Sequence, residues 1–368
     1  MIWKLTENKK WDDLEKQFSW VNHMQYVAQH KLHHAEGNVA IHTQMVMAEL
    51  SQLPNYASLT DQDRELLWAV ALLHDVEKRS TSEDEGNGII HAPGHAKKGE
   101  RTARQILFRD IETPFHLREH IVSLVRLHGL PLWLMEKDDS QKKVLEASLR
   151  LNTKYLRMIA EADARGRICQ DLDQLLYSLD LFDLYCKEQD CWGKEKTFET
   201  NSARYHYFNT DDAFVDYVPF EDFRSKVILL SGLPGMGKDY YLKSLDKDLP
   251  VISLDEIRRK NKISPTDKKR NGWVVQEAKE QARTNLRVGQ DFIWNATNIT
   301  GLMRKQLVDL FVDYGAYVSI HYLEKPYNVW RNQNKNRAYP LPENVLDKML
   351  INLEIPQKTE AHEVHYIV

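Results

Sequence analysis

The sequence predicts two domains, an all-α helical bundle followed by an α/β domain built on a parallel sheet. Three observations predict this. The chain has 368 residues, more than one ordinary hydrophobic core serves. Up to about position 225, apolar residues recur at helical rather than strand spacing. Beyond it, four short apolar runs alternate with longer helix-like segments, which is how a parallel sheet with crossover helices appears in sequence. The boundaries expected are 1–192 for the first domain, 193–225 for an aromatic-rich connector and 226–368 for the second domain.

Composition narrows the class. Hydrophobic residues make up 42% and charged residues 28%, which suits globular folding and argues against extensive disorder. No apolar run approaches the roughly 20 residues that span a bilayer, so no membrane partner is expected. The N-terminal MIWKLTENKKW carries charges without an apolar core, unlike a secretory leader. Cys169, Cys186 and Cys191 are odd in number and form no CxxC pair, which fits reduced thiols in a cytoplasmic protein. The net charge of −4 is not that of a general polyanion binder. Any nucleic-acid contact should therefore use a local basic groove around a chain end.

In the first half, SLTDQDRELLWAVALLHD begins with Thr60 three residues before Asp63, a variant of the capping box. Leu66, Val70 and Leu73 follow at helical spacing. Further amphipathic stretches cover about 96–108, 115–127 and 145–164, and no strand-like alternation precedes 226. Eleven of the fifteen histidines fall at or before His128. The leading feature is His74-Asp75 at the end of an apolar helix, where an imidazole and a carboxylate can converge on a cation. Two ligands cannot hold a catalytic metal alone, so others must come from separate helices.

Candidates are His42 upstream, His91 and His95 in IIHAPGH, His128 in VRLHGLP, and Asp163 in AEADARGR. His91 competes with His95, and His23, His30, His33 and His34 read as a solvated face, although one of them can replace His42. His116 and His120 read as ordinary helix residues, and His74-Asp75 can be a plain buried helix cap. Imidazole and carboxylate donors suit Mn, Fe, Co, Ni or Zn, and a bridged pair of such ions activates water and clamps a phosphate. Lys78 and Arg165 are cations near these ligands, and each reads equally well as a solvated charge.

The connector holds Tyr205, Tyr207, Phe208, Phe214, Tyr217 and Phe220. Domain packing is the simpler use of such aromatics, ahead of a base-stacking platform. The second half then opens with FRSKVILLSGLPGMGKDYY, and its apolar runs are 227–230, 251–254, 292–294 and 317–323. Gly232, Gly235 and Gly237 before Lys238 form a Walker A pattern between a strand and a helix. Such a loop turns backbone N–H groups toward a phosphate, while the lysine bridges the β- and γ-phosphates. Asp239 stands where Ser or Thr usually offers Mg²⁺ a hydroxyl. A carboxylate is also a hard oxygen ligand, yet a first-turn Asp is equally favoured by the helix dipole.

Three features bear on the reaction. Asp255 is expected to end the second strand, with Arg258 three residues on, where it faces the ligand crevice and can accept a proton from an attacking hydroxyl. Asn295 and Asn298 follow the third run and can orient an acceptor or a phosphate. Arg331 and Arg337 follow the fourth, in WRNQNKNRAYPLPENVL, and can neutralise a transferred phosphoryl group.

The ordered set His, HD, two spaced His and a later Asp resembles the HD-domain phosphohydrolase superfamily over about 20–190. The segment GHAKKGERTARQI is similar to members that hydrolyse 2′,3′-cyclic phosphates. The resemblance implies an HD-type helical bundle in which His42, His74, Asp75 and Asp163 are core ligands. His95 and His128 would complete a second metal position, and Asp75 would be catalytic. Over about 226–355, the Walker A loop, Asp255-x-x-Arg258, the TN element and the arginine segment before PLPENVL resemble the polynucleotide 5′-kinase family. That implies a P-loop kinase using ATP or another NTP with Mg. Lys238 and Asp255 would be catalytic, Arg258 would hold the acceptor's phosphate, and Arg331 and Arg337 would be lid residues.

The whole chain resembles a bacterial fusion of the two that heals RNA ends. This implies RNA or DNA ends as substrate, with a nucleic-acid ligase acting downstream. The competing reading is an HD nucleotidase joined to a nucleoside or other small-molecule kinase. A binding protein with a degenerate HD site is a third, and it requires no metal.

Overall fold

Two helix starts are set by side chains already visible in the sequence. Thr60 Oγ1 accepts the Asp63 N–H at 3.2 Å and donates to the Asp63 carboxylate at 2.6 Å, opening the helix Asp61–Leu73. Asn38 Oδ1 accepts the Ile41 N–H, opening the helix Val39–Gln52. These features come from a computed structural model that describes residues 2–245, 248–336 and 340–368, without the Lys268 side chain. The chain divides into two compact units, Met1–Lys196 and Thr197–Val368.

The first unit packs helices around Asp61–Leu73. Every residue from Leu66 to Leu73 is buried, so this helix is apolar on all sides rather than along one stripe. It contacts the helices Val39–Gln52, Phe115–Leu127 and Thr153–Arg165, and its end delivers His74 and Asp75 into the interior. The expected 96–108 helix runs as His95–Gln105 and widens into a π turn, Ile106–Asp110. The expected 145–164 helix is two helices, Ser140–Ser148 and Thr153–Arg165. Asn152 breaks it, because its side chain caps the second helix through the Lys154 N–H. The expectation of no strands before 226 needs one correction. Two-residue strands β1 (Glu83–Asp84) and β2 (Ile90–His91) pair antiparallel around Gly86 and Gly88, both at positive φ.

The second unit holds a parallel five-stranded sheet in the order β4-β5-β3-β6-β7. The strands are β3 (Ser225–Ser231), β4 (Val251–Ser253), β5 (Phe292–Asn295), β6 (Ala316–Leu323) and β7 (Glu363–Ile367). Four of them fall on the four apolar runs, and β7 is additional. The second run is shorter than expected, because Ser253 caps a helix and Leu254 joins it. Val227, Leu229, Phe292, Trp294, Val318 and Ile320 form the sheet's buried core with Phe311. Within this unit Tyr205 is buried against that core and packs on His362, whereas Phe214 and Phe220 are exposed. β3 lies centrally, with β5 on one side and β6 on the other, so its carboxyl end opens where the winding reverses. Ligands of open α/β sheets bind at that point. Among the described residues, no helix is long and apolar enough to cross a membrane.

Candidate functional site

In the first unit, four imidazoles converge on one carboxylate. His74 Nε2 lies 3.3 Å and His42 Nε2 3.7 Å from Asp75 Oδ2. His95 Nε2 and His128 Nε2 lie 3.4 and 4.0 Å from the other oxygen, Oδ1. Asp163 Oδ1 closes the first group at 3.1 Å from His42 Nε2. The result is two clusters, His42–His74–Asp163 and Asp75–His95–His128, with Asp75 facing both. All six residues are buried except His95, which is half-buried.

The tautomers are prepared by the backbone. His74, His95 and His128 each place Nδ1 against the carbonyl three residues back, Ala71, Ala92 and Val125, at 2.7–2.8 Å. A proton on Nδ1 donates there and leaves the Nε2 lone pair facing Asp75. The helix-cap reading of His74 and the ligand reading therefore describe different nitrogens of one ring. His42 Nδ1 faces the Glu36 carboxylate at 2.9 Å and the Gly166 carbonyl at 3.2 Å.

The electrostatics favour ligand protonation states at the carboxylates and at His128. Burial opposes charge on Asp75 and Asp163. The cations around them outweigh it, Lys78 first for Asp75 and Arg167 first for Asp163, and hold both carboxyls well below the usual range. Burial, reinforced by His74 and His95, pushes His128 down to about 4, leaving it neutral. For His42, bonds to Asp163 and Glu36 outweigh burial and raise its affinity for a proton. Among the described residues, neither Asp75 carboxylate oxygen receives a hydrogen bond, although both are buried and Lys78 Nζ lies 2.7 Å from Oδ2. A buried carboxylate whose Oδ1 has no hydrogen bond and faces the Nε2 atoms of His95 and His128 fits divalent transition-metal ions.

Several neighbours escaped the sequence reading. Glu36 touches His42 and His34 at 2.9 Å each and accepts the Ile168 N–H, so it orients the first ligand from outside the cluster. No local sequence signal marks it, because these contacts include one 132 residues away. Arg167, not Arg165, forks onto Asp163, at 3.1 and 2.6 Å, while Arg165 turns to Glu161. His91 is exposed on β2 and packs beside His30, leaving the inner position to His95. His23, His33 and His116 are exposed, and His120 is half-buried against Tyr155.

In the second unit, the turn after β3 needs glycine for a geometric reason. Gly232, Gly235 and Gly237 have φ of 143°, 85° and 89°, and a Cβ on Gly232 would lie 2.5 Å from the Leu323 carbonyl oxygen. Trp330 Nε1 donates to the Pro234 carbonyl at 2.8 Å and braces the loop from outside. Lys238 Nζ donates to the carbonyls of Gly232 and Leu233 at 2.7 and 3.0 Å, so its ammonium lies over the loop. Asp239 is exposed and accepts from Asn295 Nδ2 at 3.2 Å, placing both beyond the ends of β3 and β5.

Asp255 does not end a strand. It lies in the first turn of the helix Leu254–Lys260, just past β4, with 78% of its side chain exposed. Arg258 Nη1 donates to it at 2.6 Å, and Arg258 Nε donates to Asn271 Oδ1 at 2.6 Å. Asn298 is buried. Its amide donates to the Leu230 carbonyl, and its own carbonyl accepts from Ser231 and buried Arg304, tying β3 to the next loop. Arg331 bonds Glu343 at 2.5 Å and Asp347 at 3.2 Å, so its guanidinium is committed to the helix Glu343–Ile351. Arg337 lies outside the described residues.

Comparison with known families agrees with both geometries. Residues 38–174 match the family described as HD domain, and residues 227–356 match the one described as AAA domain. The chain therefore joins a helical HD domain, of the metal-dependent phosphohydrolase kind, to an α/β P-loop kinase-like domain.

Proposed function

We propose that the chain is a bifunctional nucleic-acid end-repair enzyme. The HD domain removes 2′,3′-cyclic or 3′-terminal phosphates, and the P-loop domain transfers the ATP γ-phosphate to the 5′-hydroxyl of RNA or DNA ends. The observation that carries this reading is the Asp255–Arg258 pair. An exposed carboxylate 2.6 Å from a guanidinium suits an acceptor offering both a hydroxyl and a nearby phosphodiester. A free nucleoside offers only the hydroxyl.

In the kinase step, Asp255 accepts the proton of the 5′-hydroxyl while the hydroxyl oxygen bonds the γ-phosphorus and the bond to the departing ADP oxygen breaks. Arg258, held by Asn271, keeps the acceptor's first phosphodiester in place. Lys238 leaves the carbonyls of Gly232 and Leu233 for the phosphates and offsets the charge gathering on them. Asp239 and Asn295 supply oxygen donors on the side where Mg would sit.

In the HD domain, His42, His74, Asp75 and Asp163 would hold one divalent ion, with Asp75, His95 and His128 available for a second. Such ions, when bound, activate water and stabilise the negative charge of phosphoester hydrolysis. Glu36 and Arg167 fix the orientation of His42 and Asp163.

The test is RNA bearing a 2′,3′-cyclic phosphate and a 5′-hydroxyl, offered beside a free nucleoside. Release of the terminal phosphate and labelling of the 5′ end are expected. A strong preference for the nucleoside would replace this reading with that of a small-molecule kinase.

A further inference from the structure

A basic strip leads away from the proposed acceptor site. Between Arg258 and Trp273, seven of sixteen residues are Lys or Arg and one is acidic. The whole chain carries 54 acidic against 50 basic residues, so this concentration is local. Arg259, Lys260, Lys262, Lys269 and Arg270 are exposed. Among the described residues, Lys260, Lys262 and Lys269 face no acidic partner.

The strip is one surface rather than a run in sequence alone. Arg270 Nη2 donates to the Asn261 carbonyl at 3.3 Å, joining the end of the helix Leu254–Lys260 to the start of the helix Lys268–Arg287. Asn271 ties the strip to the reacting end. Its Oδ1 accepts from Arg258 at 2.6 Å, while its amide donates to the carbonyls of Ser264, Pro265 and Asp267 at 2.7–3.1 Å. The loop carrying Lys262, itself at φ 51°, is thereby fixed relative to Arg258. On the same helix, two residues past Asn271, Trp273 is 47% exposed, and no aromatic ring packs on it among the described residues. Spaced cations with a bare indole match a single strand, whose phosphates follow the cations and whose bases stack on aromatic faces.

We propose that this strip is the path of the acceptor strand. Lys260, Lys262 and Lys269 contact successive phosphates beyond the reacting nucleotide, and Trp273 stacks on a base. The inference rests on the polynucleotide reading above and extends it from the chain end to the strand behind it.

The test is binding of a 3′-fluorescein single-stranded 12-nucleotide RNA with a 5′-hydroxyl to the full chain, followed by anisotropy. Each phosphate contact contributes about 0.7 to the slope of log affinity against log salt. Three contacts contribute about 2, or about 15- to 20-fold between 50 and 200 mM salt. The variant Lys260→Gln/Lys262→Gln/Lys269→Gln should lose that part of the slope at an unchanged melting temperature. Trp273→Ala should weaken binding about 5- to 150-fold.

Wild-type affinity and slope in the triple variant would overturn the path. Inorganic polyphosphate of matched charge binding as tightly as the RNA would overturn the stacking. RNA bound along the strip but never phosphorylated would sink the kinase reading alone. Phosphorylation with binding unchanged in both variants would sink this inference alone.

Discussion

Gly232→Ala is the substitution whose cost the structure specifies most closely. The glycine sits at φ 143°, a conformation almost confined to glycine, and its new Cβ would meet the Leu323 carbonyl oxygen at 2.5 Å. That oxygen belongs to the backbone of β6, which pairs with β3 on one side and β7 on the other and cannot swing away. Backbone strain of this kind costs about 1–3 kcal/mol, and forcing extra volume into a packed site costs about 1–3 kcal/mol more. If the loop relieves both by leaving its phosphate-ready shape, ATP affinity falls by about 30- to 10⁴-fold.

Gly235→Ala is the internal control. Its Cβ would meet only Trp330, at an ordinary 3.7 Å, so φ strain alone remains. The assay is calorimetric titration of ATP into wild type and both variants, with 3′-phosphate release measured in parallel. The loss should be larger at Gly232 than at Gly235, and phosphate release should persist in both. Near wild-type ATP affinity in Gly232→Ala, or equal losses at the two positions, would refute the close approach of the loop to β6.

Three further outcomes follow from particular contacts. Glu36→Gln removes the carboxylate 2.9 Å from His42 Nδ1 and should weaken metal binding about 10- to 100-fold, read by titration of Mn into the metal-free protein; unchanged affinity would make Glu36 a bystander. Trp330→Phe loses the bond to the Pro234 carbonyl, worth about 0.5–1.5 kcal/mol, so the ATP KM should rise about 2- to 12-fold while the acceptor KM holds. Glu119 is gripped by Arg104 and Arg118, which overcome burial and hold its carboxyl below the usual carboxylate range. A depressed carboxylate stabilises the fold above its unfolded pKa and loses that contribution as pH falls through the folded one. Glu119→Gln should therefore lower the melting temperature at pH 7 by breaking a buried pair, about 3–5 kcal/mol, and the gap from wild type should narrow below pH 4.5. A gap that widens in acid would contradict the ion-pair assignment.

Much of the architecture was legible because it rests on local patterns. The Thr60 cap, the apolar runs and the glycine turn each act over a few residues, and the structure places elements on all of them. β7 went unseen because the polar–apolar alternation covers only Glu363–Tyr366, a short signal separated from the other strands. The ligand set was legible in order but not in choice. Five histidines precede Val46, and only long-range packing selects His42, which the helix opened by Asn38 carries into the interior. Glu36 and Arg167 lay beyond reach for the same reason: orienting contacts join segments that sequence spacing cannot relate. Asp255 and Arg331 show the other limit. Periodicity places a residue near a strand end, but a helix cap at Ser253 and acidic partners at Glu343 and Asp347 decide its surroundings.

The most direct measurement uses one RNA with a labelled 3′-phosphate and a free 5′-hydroxyl, offered with γ-labelled ATP and treated in turn with Asp75→Ala and Lys238→Ala. Asp75→Ala should keep 5′ phosphorylation and lose 3′ release, and Lys238→Ala should do the reverse. Loss of both activities in either variant, with both domains still folded, would contradict two separate active sites in one chain.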